Sequence, residues 1–212
     1  MSNRCARILI AGGAVLVAAL GGPAGLAAAT ANTWTVRPGG AITATASTLT
    51  LTDTRSGVSD TCVSTRMSGT LKAGSGLPGS GIGSISEAGY RGCGHISSPD
   101  LAFHGLPWHL NLVSYDAATG VSRGTIGHLK ITFVAYPDIG CHAVVNGTSG
   151  STPDGVVAVT YANQTGKLKM LSHGGTLNWY HVHDCAGLIH NGDTGALSAT
   201  FTVSPKQDIT SP

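Results

Sequence analysis

From residue 32 onward the chain breaks into short runs in which apolar and polar residues alternate, and no run sustains the 3.6-residue period of a helix. Alternation with period two puts successive side chains on opposite faces of a strand, so each run offers one face to a core and one to water. The runs at 33–36, 41–46, 48–52 and 61–71 interleave Thr with Ala, Ile, Leu or Val. Those at 106–115, 123–136, 156–161, 167–171, 174–185 and 196–203 follow, separated by Gly, Ser, Pro or Asn-Gly. The pattern predicts a single all-β domain over 32–212, an antiparallel sandwich or barrel of about a dozen short strands. Single helical turns are expected only at 97–103 and 186–190. The glycine-rich run 74–83 reads as a loop or hairpin, because no Gly-Lys-Ser/Thr follows to make it a phosphate cradle.

The first 31 residues read differently. Arg4 and Arg7 precede an apolar run at 8–20, and Ala29-Thr-Ala31 supplies small residues at a cleavage point. This is the pattern of a secretory signal peptide, with an apolar core shorter than the roughly 20 residues a membrane span needs. The expected location is therefore secreted or extracellular, with no transmembrane segment after the signal is removed. The 212 residues less these 31 leave 181, and removing two arginines from 12 basic residues leaves ten against ten acidic ones. A neutral balance without a basic block argues against a nucleic-acid partner. Charged residues are only 10% of the chain, so hydroxyls must make its surface polar. Aromatic residues at 5% are too few for the two girdles of a transmembrane β-barrel.

Four cysteines lie beyond the signal, Cys62, Cys93, Cys141 and Cys185, with no Cys-x-x-Cys spacing. An even count in an exported chain argues for disulfides, and four cysteines allow three connectivities. A weak internal similarity selects among them. Cys62-Val-Ser-Thr-Arg-Met-Ser-Gly-Thr70 is similar to Cys141-His-Ala-Val-Val-Asn-Gly-Thr148, and Tyr90-Arg-Gly-Cys93-Gly to His183-Asp-Cys185-Ala-Gly. Each unit opens and closes on a cysteine, so Cys62 is expected to pair with Cys93 and Cys141 with Cys185.

The segments Trp34-Thr-Val-x-Pro-Gly-Gly-Ala-Ile, Gly81-Ile-Gly-Ser-Ile, Leu106-Pro-Trp-His-Leu, Cys185-Ala-Gly-Leu-Ile-x-Asn-Gly-Asp193 and Phe201-Thr-Val-Ser-Pro together carry a resemblance. The chain resembles a group of small exported β-rich proteins of high-GC Gram-positive bacteria. That resemblance implies export and a β fold, and it carries no catalytic residue over.

The run 174–185 holds the densest functional side chains and reads as a central strand. Leu177, Trp179, His181 and His183 are expected on one face. Two imidazoles two residues apart can share one zinc, with a third ligand required from His173, His190 or Asp184. A paired-carboxylate site finds little support, since Glu87 is the one glutamate and most aspartates sit in turns such as Pro153-Asp-Gly155. Gly120-Val-Ser-Arg-Gly124 matches a nucleophile elbow in letters only, because it leads from a turn into a strand. Trp108, Trp179 and Tyr180 are candidates for a sugar-stacking platform, although Trp108 and Trp179 also fit the inward, core pattern beside Leu110, Leu112 and Leu177. The residues thus favour a non-enzymatic binding or structural module at the cell surface, without cofactor, whose partner is a cell-wall or extracellular polysaccharide. The alternative is a zinc-dependent hydrolase built on His181 and His183.

Overall fold

The structure, a computed structural model, describes residues 33–93, 100–135 and 140–212. The signal-like segment lies outside these residues, as does most of the turn expected at 97–103. Its remainder is extended. The strands in chain order are β1 (Thr33–Arg37), β2 (Gly40–Asp53), β3 (Ser59–Leu71), β4 (Gly74–Pro78), β5 (Gly83–Gly89), β6 (Gly92–Cys93), β7 (Asp100–His104) and β8 (Trp108–Asp116). They continue with β9 (Val121–Ala135), β10 (Cys141–Asn146), β11 (Gly155–Ala162), β12 (Lys167–Met170), β13 (Asn178–His183), β14 (Gly195–Ser204) and β15 (Asp208–Thr210).

Eight of these close into a barrel in the order β2-β3-β5-β8-β9-β11-β12-β14, with β14 returning to β2 and every pairing antiparallel. Each strand neighbours the next one in the series, an up-and-down barrel that leaves the circle without an edge. The expected choice between sandwich and barrel is settled for the barrel. Alternation works as the sequence implied: in β11, Val157, Val159 and Tyr161 are buried while their neighbours are half-buried. An eight-stranded barrel is just wide enough for its own side chains. Here Leu51, Met67, Ile85, Leu110, Ile126, Leu168, Leu197 and Phe201 fill it, with interior cavities of about 20 and 30 Å³.

A three-stranded sheet, β15-β1-β4, stands at the barrel end where β2 begins and β3 and β14 finish. It buries Trp34, Val36 and Ile209. Gln207, also buried, accepts from the Gly39 N–H and donates to Pro205 O, and its backbone exchanges hydrogen bonds with the Tyr161 hydroxyl. Burial, together with the charge of Asp208, pushes the Tyr161 hydroxyl pKa upward despite the Gln207 hydrogen bond. The glycine run 74–83 thus contains a strand, β4, whose partner β1 lies some 40 residues earlier.

At the other end β9 runs past the barrel. Its first half pairs with β8 and β11, and its second half with β7 and β10, beyond a bulge at His128. Two disulfides staple this end as expected: Cys62 to Cys93 between β3 and β6, and Cys141 to Cys185 between β10 and the chain leaving β13. Among the named strands of the described residues β13 pairs with β10 alone, and its other side meets the loop at 192–195 through the Asn178↔Thr194 bridge and the Trp179 N–H donating to Asp193 O. It ends its sheet, and the expected central position is corrected.

Candidate functional site

The feature most like a binding site is a gap in the barrel wall. Strand β12 is four residues long, and Met170 at its end pairs with Val159 of β11 and Ala199 of β14. Both neighbours continue beyond it, through residues 155–158 and 195–198. The chain leaves the wall after the Leu171 N–H has donated to Ala158 O at 2.9 Å. Gly174, at φ +77°, turns it, and Thr176 rejoins Val156 as an isolated bridge. Gly175 is required for this passage, since a Cβ there would lie 2.3 Å from Val156 O. The result is a cavity of about 260 Å³ opening on solvent.

Its floor is apolar: Val157, Leu177, Ala196 and Leu197, all buried. Its rim is polar and exposed: Ser172, His173 and Thr194, with the backbone of Gly174 and Gly175. The loop that carries Thr194 is pinned to the β2–β3 turn. Arg55 Nε donates to Asp193 Oδ1 at 2.8 Å, Arg55 Nη2 contacts His190 Nδ1, and the Thr54 N–H donates to Thr194 O at 2.9 Å. Burial alone would push the Asp193 carboxyl up, but hydrogen bonds from Arg55 and the His190 N–H and the nearby positive charge hold it below its ordinary value. Behind the floor, Trp179 Nε1 is buried and has no hydrogen-bond partner, 3.4 Å from where a Cβ on Gly195 would stand.

The side chains singled out from the sequence lie elsewhere. Trp108 and Trp179 are each 2% exposed, packed edge-on against Phe103 at 5.6 Å and Phe133 at 5.7 Å. Their faces are covered, so they form no stacking platform and act as core. Tyr180 is half-buried and donates from its hydroxyl to Gly147 O at 3.1 Å. Its role is to hold the loop after β10. That loop is ordered by buried Asn146, whose amide donates to Ser149 O and Thr152 O and accepts from the N–H groups of Asp154 and Gly155.

His181 and His183 are both exposed, but they do not continue the Trp179 face. An extra residue sits in β13 between the pairs Val144↔Tyr180 and His142↔His183, with His181 at φ +50°. One added residue reverses which face later side chains occupy. His183 therefore lies opposite His142 on the outer face, and the His181 ring lies against Gly150. Among the described residues the one group of three metal-capable atoms is Asp60, Cys62 and Cys93, and its two sulfurs are bonded to each other. No third ligand atom from His173, His190 or Asp184 joins the His181–His183 pair.

Other nucleophile and acid candidates are structural. Ser122 is buried within β9, its Oγ 3.5 Å from Ile209 O. Glu87 accepts from Ser68 Oγ at 2.6 Å. Asp116 and Asp154 close turns; hydrogen bonds from Thr119 hold the Asp116 carboxyl below its ordinary value, and at Asp154 burial is outweighed by hydrogen bonds from Thr148 and Gly147. The wall gap was not foreseen. Its local signal is the pair Gly174-Gly175 followed by Gly195, but only the pairing of strands far apart in sequence turns that signal into a cavity. No protein-family model, curated protein or solved structure matches the chain.

Proposed function

We propose that this chain is an exported binding module whose wall gap receives the terminal sugar of an extracellular or cell-wall polysaccharide. The observation that carries the reading is the gap itself: a solvent-open cavity of about 260 Å³ with an apolar floor, against interior cavities of about 20 and 30 Å³ among the described residues. At about 30 Å³ per water, that volume holds roughly nine waters, the scale of one monosaccharide. The C–H face of a sugar ring fits the floor of Val157, Leu177, Ala196 and Leu197, and its hydroxyls meet the hydroxyls, imidazole and backbone of the rim. Pockets of this kind are mostly apolar with a few placed polar groups. Export is supported by the signal-like residues 1–31, by the two disulfides, and by the resemblance to small exported β-rich proteins.

The test is a binding screen of wall-derived oligosaccharides by isothermal titration, on the parent and on Thr194→Trp. Thr194 is exposed on the rim, and its backbone contacts to Thr54 do not need its side chain. Binding by the parent that is lost on adding the bulky ring supports the gap. Equal binding by both proteins moves the site elsewhere, and no binding of any oligosaccharide ends the proposal.

A further inference from the structure

We propose that His109 and His128 form a two-imidazole site for a divalent transition metal on the outer wall, independent of the wall gap. His128 occupies the bulge in β9, between the pairs Val156↔Gly127 and Gly155↔Leu129, and its φ is +72°. That region of backbone space costs a non-glycine residue on the order of 1–3 kcal/mol, and such strain concentrates at functional sites. The bulge aims the ring so that Nδ1 lies 2.5 Å from Gly105 O. A carbonyl can only accept, so Nδ1 carries the proton and the neutral ring presents its lone pair at Nε2. An imidazole that donates one N–H to a carbonyl and offers the other nitrogen is the arrangement metal-binding histidines adopt.

His109 supplies the second ring. It stands directly across from Gly127 in the β8–β9 pair, is exposed, and its ring centroid is 5.6 Å from that of His128 with the planes inclined at 39°. With a metal–nitrogen bond of about 2.0–2.1 Å, an ion lies about 3 Å from the centroid of each ring it binds, so two ligand rings have centroids within about 6 Å. The observed separation meets that limit. Among the described residues no further His, Cys, Asp or Glu completes a group of three with this pair. The site is therefore open, with the remaining positions left to water or to an external ligand, and its affinity follows the order Cu²⁺ over Ni²⁺ and Zn²⁺.

The test is Cu²⁺ titration of protein purified without an affinity tag, by calorimetry and electron paramagnetic resonance. The parent is expected to bind one equivalent through two imidazole nitrogens. His109→Ala and His128→Gly should each weaken binding by at least about tenfold, the loss typical even of a ligand's supporting contacts. Glycine adopts φ +72° without strain, which offsets the lost hydrogen bond to Gly105 O, so His128→Gly should melt close to the parent, and the melt separates a loss of metal from a loss of fold. His183→Ala, which removes the exposed ring facing His142, should bind as the parent does. Absence of Cu²⁺ uptake, full binding by His109→Ala or His128→Gly, or loss on His183→Ala alone would each overturn the assignment.

Discussion

Trp108 and Trp179 form a natural matched pair, and replacing each by Phe isolates one hydrogen bond. Both are 2% exposed, and both meet a phenylalanine edge-on, at 5.6 and 5.7 Å. They differ in the indole N–H: Trp108 Nε1 donates to His104 O at 2.8 Å, whereas Trp179 Nε1 is buried without a partner. Trp→Phe removes the same volume at each site, so the packing losses are similar. At Trp108 it also removes a bond with a net value of about 0.5–1.5 kcal/mol, while at Trp179 it removes an unsatisfied donor whose burial costs about 1–3 kcal/mol. Trp108→Phe should therefore be the more damaging by at least about 1.5 kcal/mol. In a domain of this size that is a Tm difference of about 3–6 °C. Urea melts of the two variants and the parent give the free energies directly, with Trp179→Ala as the control for packing, expected to lose about 3–5 kcal/mol. If Trp179→Phe costs as much as Trp108→Phe, the two indoles are equally satisfied and the reasoning fails.

Other outcomes follow from the same geometry. Replacing Cys141 and Cys185 together by Ala should lower stability by about 3–4 kcal/mol, because a 44-residue loop is then released in the unfolded chain, and β13 should show the largest gain in hydrogen exchange. Asn146→Ala abandons four hydrogen bonds around a fully buried amide and should cost about 3–5 kcal/mol, with proteolysis appearing first within 147–154. The carboxyls of Asp154 and Asp193 lie below their ordinary value of 3.8 in the folded protein. Their stabilisation is complete above that pH and is lost as pH falls through the depressed values, so Asp154→Asn should flatten the acid limb of a stability-versus-pH curve.

Much of the fold was legible because it is local. Trp108, Leu110 and Leu112 point inward as their spacing implied, and the hairpin of β11 and β12 joins at the turn the sequence marks. The cysteine pairing followed from the similarity of the two cysteine-bounded units. What stayed hidden depends on distant partners. The run 174–185 reads as one uninterrupted strand, yet the bulge at His181 arises only against β10, and it sends His183 to the face opposite Trp179. Strand β4 reads Gly-Ser-Gly-Leu-Pro, with no alternating apolar pattern of its own, and its pairing with β1 makes it a strand. The wall gap exists because β12 stops at Met170 while β11 and β14 continue, a relation no single segment records. Likewise, His109 and His128 are 19 residues apart in sequence and meet only across the β8–β9 pair.

The wall gap as the place where a ligand enters is the claim on which the functional reading rests. It is tested most directly by following backbone amide resonances while the oligosaccharide selected in the binding screen is added. The account predicts shifts concentrated in residues 156–157, 171–175 and 194–197, and their disappearance in Thr194→Trp. Shifts confined to the hydroxyl-rich outer wall around Thr45, Arg66, Lys167 and Thr202 would contradict it and place the ligand on the barrel's exterior.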